Sequence, residues 1–402
     1  MKIVVADLFS QDGIEDMKKM GHNVVYEPKV VGADFVKLMG ELMPVVLVVR
    51  SKKVTKEVID ADPKLEMVIR AGAGVDTIDV DYCSKKGIYV TNCPGKNSVA
   101  VAELAMGLML SVDRRIPENN QFLKEGKWEK GLYAECNGLK GRTVGLLGIG
   151  NVGKEVCKRC IAFEMKVIAW DIFISTADMA AMGATKVETP EDIAKGADII
   201  SVHVPAVKDT IKMINKNFLK LMKPDTVLIN TARGNLVVEE DLIERLDTVK
   251  GFWYASDVFN GEPAEKKAAY DNKLAKHPKV FGTHHIGAST KEAETAIGIE
   301  AVRMVKEYGL MKKVNNCVNL AQDIKTTHNI TVKYVNEVGT LASILALFTE
   351  NKLKIEELCN EVFKERKACV AGIHFTGDIA HKDELVAAIS KVSGVIDTSF
   401  IC

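Results

Sequence analysis

Thr143-Val144-Gly145-Leu146-Leu147-Gly148-Ile149-Gly150-Asn151-Val152-Gly153-Lys154 decides the fold. Its first five residues form an apolar, strand-like run that stops at a glycine. A Gly-x-Gly-x-x-Gly alone carries little weight, because glycines recur in many turns. Here the triplet Gly148, Gly150 and Gly153 closes a strand and opens a helical pattern over residues 154–163. In that context the three glycines permit, in turn, a tight turn, close approach of backbone to a pyrophosphate, and close packing of helix on strand. The helix start adds free N–H groups and the positive end of a dipole, which suit phosphate. The next strand ends at Asp171, eighteen residues past Gly153, where a carboxylate accepts from both ribose hydroxyls. It would repel a 2′-phosphate and no Arg follows it immediately, so the stretch predicts NAD rather than NADP.

Outward from this stretch, strand-like and helix-like runs alternate, the pattern of a mostly parallel sheet. Downstream strands are expected at Thr143–Leu147, 167–170, Ile199–Val202, 226–230, Trp253–Ser256 and Val280–Gly282. Upstream, residues 3–6, 45–49 and 67–69 read as buried strands of a first α/β sheet. Residues 99–112 predict a long apolar helix capped by Asn97 or Ser98. Residues 114–140 read as irregular and polar, with Trp128 as the main apolar anchor. Ser289-Thr290-Lys291-Glu292 predicts a capping box opening a helix toward Lys306, and residues 315–327 read as a linker. The last block, 328–402, offers strand 329–334, helix 340–351, strands 355–363 and 368–375, helix Lys382–Ser390 and strand 396–401. That βαββαβ order is ferredoxin-like. The expected fold class is therefore α/β: two doubly wound parallel-sheet (Rossmann-like) domains plus a small C-terminal α+β domain.

Composition bounds the function. A chain of 402 residues fits two or three domains, and a hydrophobic share of 47% with only 6% aromatic predicts aliphatic cores. Lys+Arg and Asp+Glu both total 54, so no overall field draws nucleic acid or an anionic membrane. The nine cysteines sit mostly in apolar or helical stretches, as in a reduced cytosolic protein. The pair Cys157 and Cys160 lies in the predicted helix with no second pair, so packing is favoured over zinc or redox chemistry and no metal is expected. Met1 to Ser10 reads as a strand, with no signal-peptide pattern. The apolar helix at 99–112 is short for a membrane span and interrupted by Glu103. A soluble, cytoplasmic protein is expected.

Hydride transfer to or from an alcohol carbon needs a base for the hydroxyl proton and a cation for the substrate's carboxylate and carbonyl. It also needs a carboxylate that fixes the imidazole tautomer and raises its pKa. Arg233 in Asn230-Thr231-Ala232-Arg233-Gly234, Glu262 in Asp257-Val258-Phe259-Asn260-Gly261-Glu262-Pro263, and His285 in His284-His285-Ile286-Gly287 supply these groups. Each follows a predicted strand of the second series, in the loops where such sheets place their sites.

Over Gly148–Thr290 these motifs resemble the D-2-hydroxyacid dehydrogenase family. The resemblance implies catalytic roles for Arg233 (substrate), Glu262 (imidazole support) and His285 (acid/base), with His284 a bystander where relatives often have Pro. It implies cofactor contacts at Gly148, Gly150, Asn151, Val152, Gly153, Asp171, Thr231, Ala232, Asp257, His285 and Gly287. It also implies a discontinuous substrate domain, residues 1–94 with 287–320, a dinucleotide domain at 95–286, and a sensing module at 328–402.

Val48-Val49-Arg50-Ser51 and Arg70-Ala71-Gly72-Ala73-Gly74-Val75-Asp76 resemble the branch of the family that oxidises D-3-phosphoglycerate, the first step of serine synthesis. So do Asn97-Ser98-x-x-x-x-Glu103 and Gly126-Lys127-Trp128. The resemblance implies a phosphate contact at Arg50 and Ser51 and a carboxylate-binding turn at Arg70, Gly72, Ala73 and Gly74. The alternatives are a hydroxypyruvate or glyoxylate reductase, which needs no Arg50, and a nonenzymatic NADH-sensing corepressor of the same fold. The last block resembles an ACT domain. Asn336, before Gly339, matches a serine contact, whereas Tyr334, Val338 and Lys354 depart from that pattern, so serine, another effector or a purely oligomeric role remain open. A homodimer or homotetramer is expected, with the helix at 99–112 resembling the family's dimer-forming helix.

Overall fold

In the computed structural model, residues 1–263, 267–321, 326–378 and 382–401 are described. Five strands build the first sheet: β1 (Lys2–Val5), β2 (Asn23–Tyr26), β3 (Val46–Val49), β4 (Met67–Arg70) and β5 (Tyr89–Thr91). They run parallel in the order β2-β1-β3-β4-β5, so the order reverses between β1 and β3. Seven more strands form a second parallel sheet: β6 (Thr143–Leu147), β7 (Lys166–Trp170), β8 (Thr185–Lys186), β9 (Ile199–Val202), β10 (Val227–Asn230), β11 (Trp253–Ser256) and β12 (Val280–Gly282). Their order, β12-β11-β10-β9-β6-β7-β8, is doubly wound and reverses between β6 and β9. Helices cover both faces of a parallel sheet, so its central strands read as continuous apolar runs; β3, β9 and β10 are buried at every position.

Two long helices show how the chain serves both sheets. Helix Ser98–Asp113 places Ala102, Ala105, Met106 and Met109 in one core with Val144 and Leu146 of the second sheet. Helix Lys291–Met311 returns to the first sheet, placing Ile297, Ala301, Met304 and Val305 beside Ile3, Val5 and Val46. Cys157 and Cys160 pack inside helix Asn151–Ala162, and burial pushes the Cys160 thiol up to about 12. Among the described residues, no helix is long and apolar enough to cross a membrane.

Leu320–Cys402 forms a separate compact unit. Its strands are β13 (His328–Val335), β14 (Lys354–Val362), β15 (Ala368–Thr376) and β16 (Val395–Ile401), in the antiparallel order β14-β15-β13-β16. Helices Thr340–Glu350 and Lys382–Ser390 complete a ferredoxin-like arrangement. Their Ile344, Phe348, Leu385 and Ile389 share one core with Ile330, Val332, Ile373 and Phe375 of the sheet.

Several expectations are corrected. The segment 114–140 contains a helix, Ile116–Lys124, and Trp128 is 80% exposed rather than an anchor. The helix after residue 290 is capped by Thr290, whose side chain accepts from Ala293 N–H, not by a box between Ser289 and Glu292. Ser289 instead closes a turn through its N–H to Ile286 O. In the linker at 315–327, Asn319 is fastened to the first sheet, its Oδ1 accepting from Val90 N–H, while residues 322–325 lie outside the described residues.

Candidate active site

Ligands of open parallel sheets sit beyond the carboxyl ends of the strands where the order reverses. At the reversal of the second sheet, β6 ends in Gly148, whose φ of +91° glycine tolerates. A Cβ there would meet the His203 carbonyl carbon at 3.0 Å, and one on Gly153 would lie 2.4 Å from Gly148 O. The loop must therefore be glycine to hug the strand. Gly150 caps the helix without a side-chain bond, and the N–H groups of Gly150, Asn151, Val152 and Gly153 have no partner among the described residues. Four unpaired donors at a helix start fit a pyrophosphate. Asp171 accepts from Ile149 N–H at 3.0 Å and Phe173 N–H at 2.9 Å, which ties the glycine loop to the end of β7 and leaves lone pairs for a ribose. At the end of β10, Asn230 Oδ1 accepts from Ala232 N–H at 3.0 Å, while Thr231 Oγ1 is buried without a hydrogen-bonding partner among the described residues. These residues fit a dinucleotide.

Asp257, after β11, is buried and gathers the next loop. Its carboxylate accepts from Thr283 Oγ1 at 2.5 Å and from the N–H groups of Ile286 and Gly287 at 2.8 Å each. A Cβ on Gly287 would stand 3.0 Å from Asp257 Oδ2. The grip holds His285 in the left-handed region at φ +53°, a conformation costing a non-glycine residue roughly 1 kcal/mol. His285 Nδ1 meets Glu262 Oε2 at 2.6 Å, and Glu262 Oε1 accepts from Phe259 N–H at 2.8 Å. The bond to Glu262 raises the His285 pKa above its ordinary value against the opposing effect of burial. Burial pulls Glu262 upward, but bonds from His285 and Phe259 outweigh it and hold the carboxyl below its ordinary value. His284 is exposed. His203 is a different case: burial drives it down to about 4, so it stays neutral against Ser201 Oγ at 2.9 Å.

The first sheet brings the cations. Asp7, just beyond β1, receives the N–H groups of Arg50, Ser51 and Lys52 at 2.9, 2.7 and 2.9 Å and the Ser51 hydroxyl at 3.2 Å. Burial raises the Asp7 carboxyl, but these N–H donors prevail and hold it below its ordinary value. Asp7 thus pins the Arg50–Ser51 turn at the reversal of the first sheet. Arg50 Nη1 donates to Glu294 at 2.9 Å. Arg70 lies against Gly72, where a Cβ would strike its Nη1 at 1.4 Å. Desolvation first, then the charges of Arg233 and Arg50, lower Arg70 to about 10. Its Nε is buried without a partner, and the N–H groups of Ala73 and Gly74 also have none among the described residues. Arg233 lies near Glu262 and His285 and pairs with Asp76.

The structure therefore brings Arg233, Glu262 and His285 together and sets Arg50, Arg70 and Gly72–Gly74 around the same arginine cluster. Sequence reasoning missed Asp7, Asp76 and Glu294. Asp76 stands within the turn that follows β4, but nothing local announces a partner 157 residues away.

The family described as "D-isomer specific 2-hydroxyacid dehydrogenase, NAD binding domain" matches residues 106–287. D-3-phosphoglycerate dehydrogenase of Archaeoglobus fulgidus is 35% identical over 359 residues, covering 88% of this chain and 67% of that protein. Hydroxypyruvate reductase of Thermotoga maritima is 43% identical over 267 residues, covering 66% of this chain and 85% of that one. The solved structure of NAD+-bound 3-phosphoglycerate dehydrogenase from Entamoeba histolytica matches with a TM-score of 0.66 and 29% identity, covering 80% of this chain and 99% of that one. The chain spans 61% to 67% of the length of the first two phosphoglycerate dehydrogenases it matches.

Proposed function

Because the chain belongs to the D-isomer specific 2-hydroxyacid dehydrogenases and carries their NAD-binding domain, we propose that it oxidises D-3-phosphoglycerate to 3-phosphohydroxypyruvate, the step that opens serine synthesis. The observation that carries this reading is the number of cations. Arg233 and the Arg70 turn suffice for the carboxylate of a 2-hydroxy acid lacking phosphate, whereas Arg50, its turn pinned by Asp7 and its guanidinium shared with Glu294, adds a third cation.

In the proposed reaction the N–H groups of Ala73 and Gly74, with Arg233, hold the substrate carboxylate. Arg50 holds the phosphate, its turn fixed by Asp7. Gly148–Gly153, Asp171 and Thr231 hold NAD, which when bound supplies the acceptor for the hydride from C2. Glu262 keeps the His285 Nδ1 proton, so Nε2 takes the hydroxyl proton, and the carboxylate stabilises the imidazolium that results. In reduction the same imidazolium returns the proton.

The test is Arg50→Ala, assayed through NADH absorbance with phosphohydroxypyruvate and with hydroxypyruvate. Losing a charge-assisted bond worth about 1.5–3 kcal/mol raises KM for the phosphorylated acid roughly 10- to 150-fold. KM for the unphosphorylated acid should stay within about 2-fold. Equal effects would remove phosphate from the assignment. The 43% identity to the T. maritima protein favours a second reading, hydroxypyruvate reduction; it predicts that wild type prefers hydroxypyruvate over its phosphorylated form. No turnover of either acid would favour an NADH-sensing role. For the C-terminal unit we propose one of three roles, binding of serine, binding of another effector, or assembly of a homo-oligomer. Asn336 there donates to Arg366 O at 2.9 Å, and heat that saturates on titration with L-serine would support serine as effector.

A further inference from the structure

Asp76 follows the end of β4 in the first sheet, yet its carboxylate binds a guanidinium that belongs to the second. Arg233 Nε and Nη2 both approach Asp76 Oδ2 at 2.9 Å, and Nη1 donates to Ala232 O at 2.7 Å. A guanidinium offers a carboxylate two forks, side-on through Nε and Nη2 and end-on through Nη1 and Nη2. Asp76 occupies the side-on fork. The bond to Ala232 O fixes the rotation of the plane, so the end-on fork has a defined direction. Gly74 marks how tight the arrangement is: a Cβ there would lie 1.9 Å from Arg233 Nη2 and 2.8 Å from Asp76 Oδ2. The pair thus rests on the backbone of the turn whose Ala73 and Gly74 N–H groups are unpaired among the described residues.

We propose that Asp76 is a positioning residue for Arg233: it holds the side-on fork so that the end-on fork meets the substrate carboxylate beside the Ala73 and Gly74 N–H groups. Two anions on one cation are sustainable here because Arg70 adds a second positive charge across the same turn. The opposite role, an anion that competes with substrate for Arg233, has the opposite sign. A competitor raises KM while present and lowers it when removed; a positioning group does the reverse. The inference rests on Arg233 as the carboxylate ligand but not on Arg50, because the carboxylate is common to phosphorylated and unphosphorylated acids.

The experiment compares wild type, Asp76→Ala, Asp76→Asn and Gly74→Ala in the full chain. Steady-state rates are taken with phosphohydroxypyruvate and with hydroxypyruvate, and NADH affinity by fluorescence on the same samples. Asp76→Ala should raise KM for both acids by about 10- to 30-fold, the scale of a misaligned charge-assisted contact, with kcat falling less than about 3-fold. Asp76→Asn keeps one acceptor and should fall between Ala and wild type. Gly74→Ala reaches the same guanidinium from the other side and should give the same signature. NADH affinity should hold within about 2-fold for all three. A fall in KM, an unchanged KM, a rise confined to the phosphorylated acid, or a matching loss of NADH affinity would each overturn the proposal. Failure of the functional reading would look different, because wild type itself would then turn over neither acid.

Discussion

Replacing Glu262 by Gln tests the proposed acid/base pair by removing charge while keeping shape. Glutamine can still accept from Phe259 N–H or from His285, but it no longer stabilises imidazolium over imidazole. The bond it replaces is short, 2.6 Å, and joins an imidazole half exposed to a carboxylate about one-third exposed. A hydrogen bond to a charged group is worth about 1.5–3 kcal/mol, and solvent screening places this one near the lower figure. About 1.5 kcal/mol is roughly a 10-fold loss of imidazolium on the alkaline side of the titration. The sign follows from the raised His285 pKa. Reduction uses imidazolium, so its rate is full below that pKa and falls as pH climbs through it. In Glu262→Gln the falling limb should move to lower pH, with reductive kcat down about 10-fold on the alkaline side of both limbs, less at lower pH, and more if ring orientation is also lost; general acid catalysis of 10²–10⁴ sets the ceiling. Oxidation uses neutral imidazole, so its rising limb should move the same way, with a lower plateau because the base is weaker. The assay is initial rate against pH in both directions, with NADH affinity as a check on folding. A limb that stays put, or moves to higher pH, would refute the pairing as the source of the perturbed titration.

Two further substitutions probe the cofactor loop. Gly153→Ala puts a methyl 2.4 Å from Gly148 O, a clash with backbone that no side chain can relieve. Its cost of about 1–3 kcal/mol should appear as an apparent Tm lower by several degrees and as weaker NADH binding, while an unchanged Tm would show that the loop has slack. Asp171→Ala removes both the proposed ribose acceptor and the brace on Ile149 N–H. KM for NAD should rise about 10- to 100-fold, and the preference over NADP should narrow because the repulsion of a 2′-phosphate goes too. Unaltered discrimination would put the source of NAD preference elsewhere.

Legibility in the sequence followed burial. Strands enclosed by helices, such as Ile199–Val202 and Val227–Asn230, are buried at every position and, with only Ser201 and Asn230 polar, stood out as runs. The strands that escaped notice are short or half-covered. Asn23–Tyr26 and Thr185–Lys186 sit toward sheet edges with partly exposed side chains, and Tyr89–Thr91 has only three residues. Helix Ile116–Lys124 buries none of its residues, so it lacked the apolar stripe that periodicity needs. The groups proposed to do chemistry were legible because each stands in a local motif after a strand. What the motifs could not show was which groups meet: Arg50 pairs with Glu294 across 244 positions and Arg233 with Asp76 across 157.

Short polar side chains past the strand ends explain why the site is firm where catalysis needs it. Asp7 follows β1 and takes three consecutive N–H groups of the loop after β3. Asp171 follows β7 and takes an N–H of the loop after β6, while Asp257 follows β11 and takes two from the loop after β12. Neighbouring parallel strands end side by side, so a carboxylate at one end faces the unpaired amides of the next loop, which cannot join the ladder. Each such carboxylate satisfies donors that burial would otherwise penalise, by about 1–3 kcal/mol apiece, and fixes the loop's course in doing so. A sequence reader assigns an aspartate in this place to a ligand, as with Asp257 and the cofactor. The geometry gives Asp257 a prior role, because its two oxygens already hold Thr283, Ile286 and Gly287 and thereby aim His285 at Glu262. The same residue type at equivalent strand ends can thus build the loop or bind the ligand, and only the hydrogen-bond partners tell which.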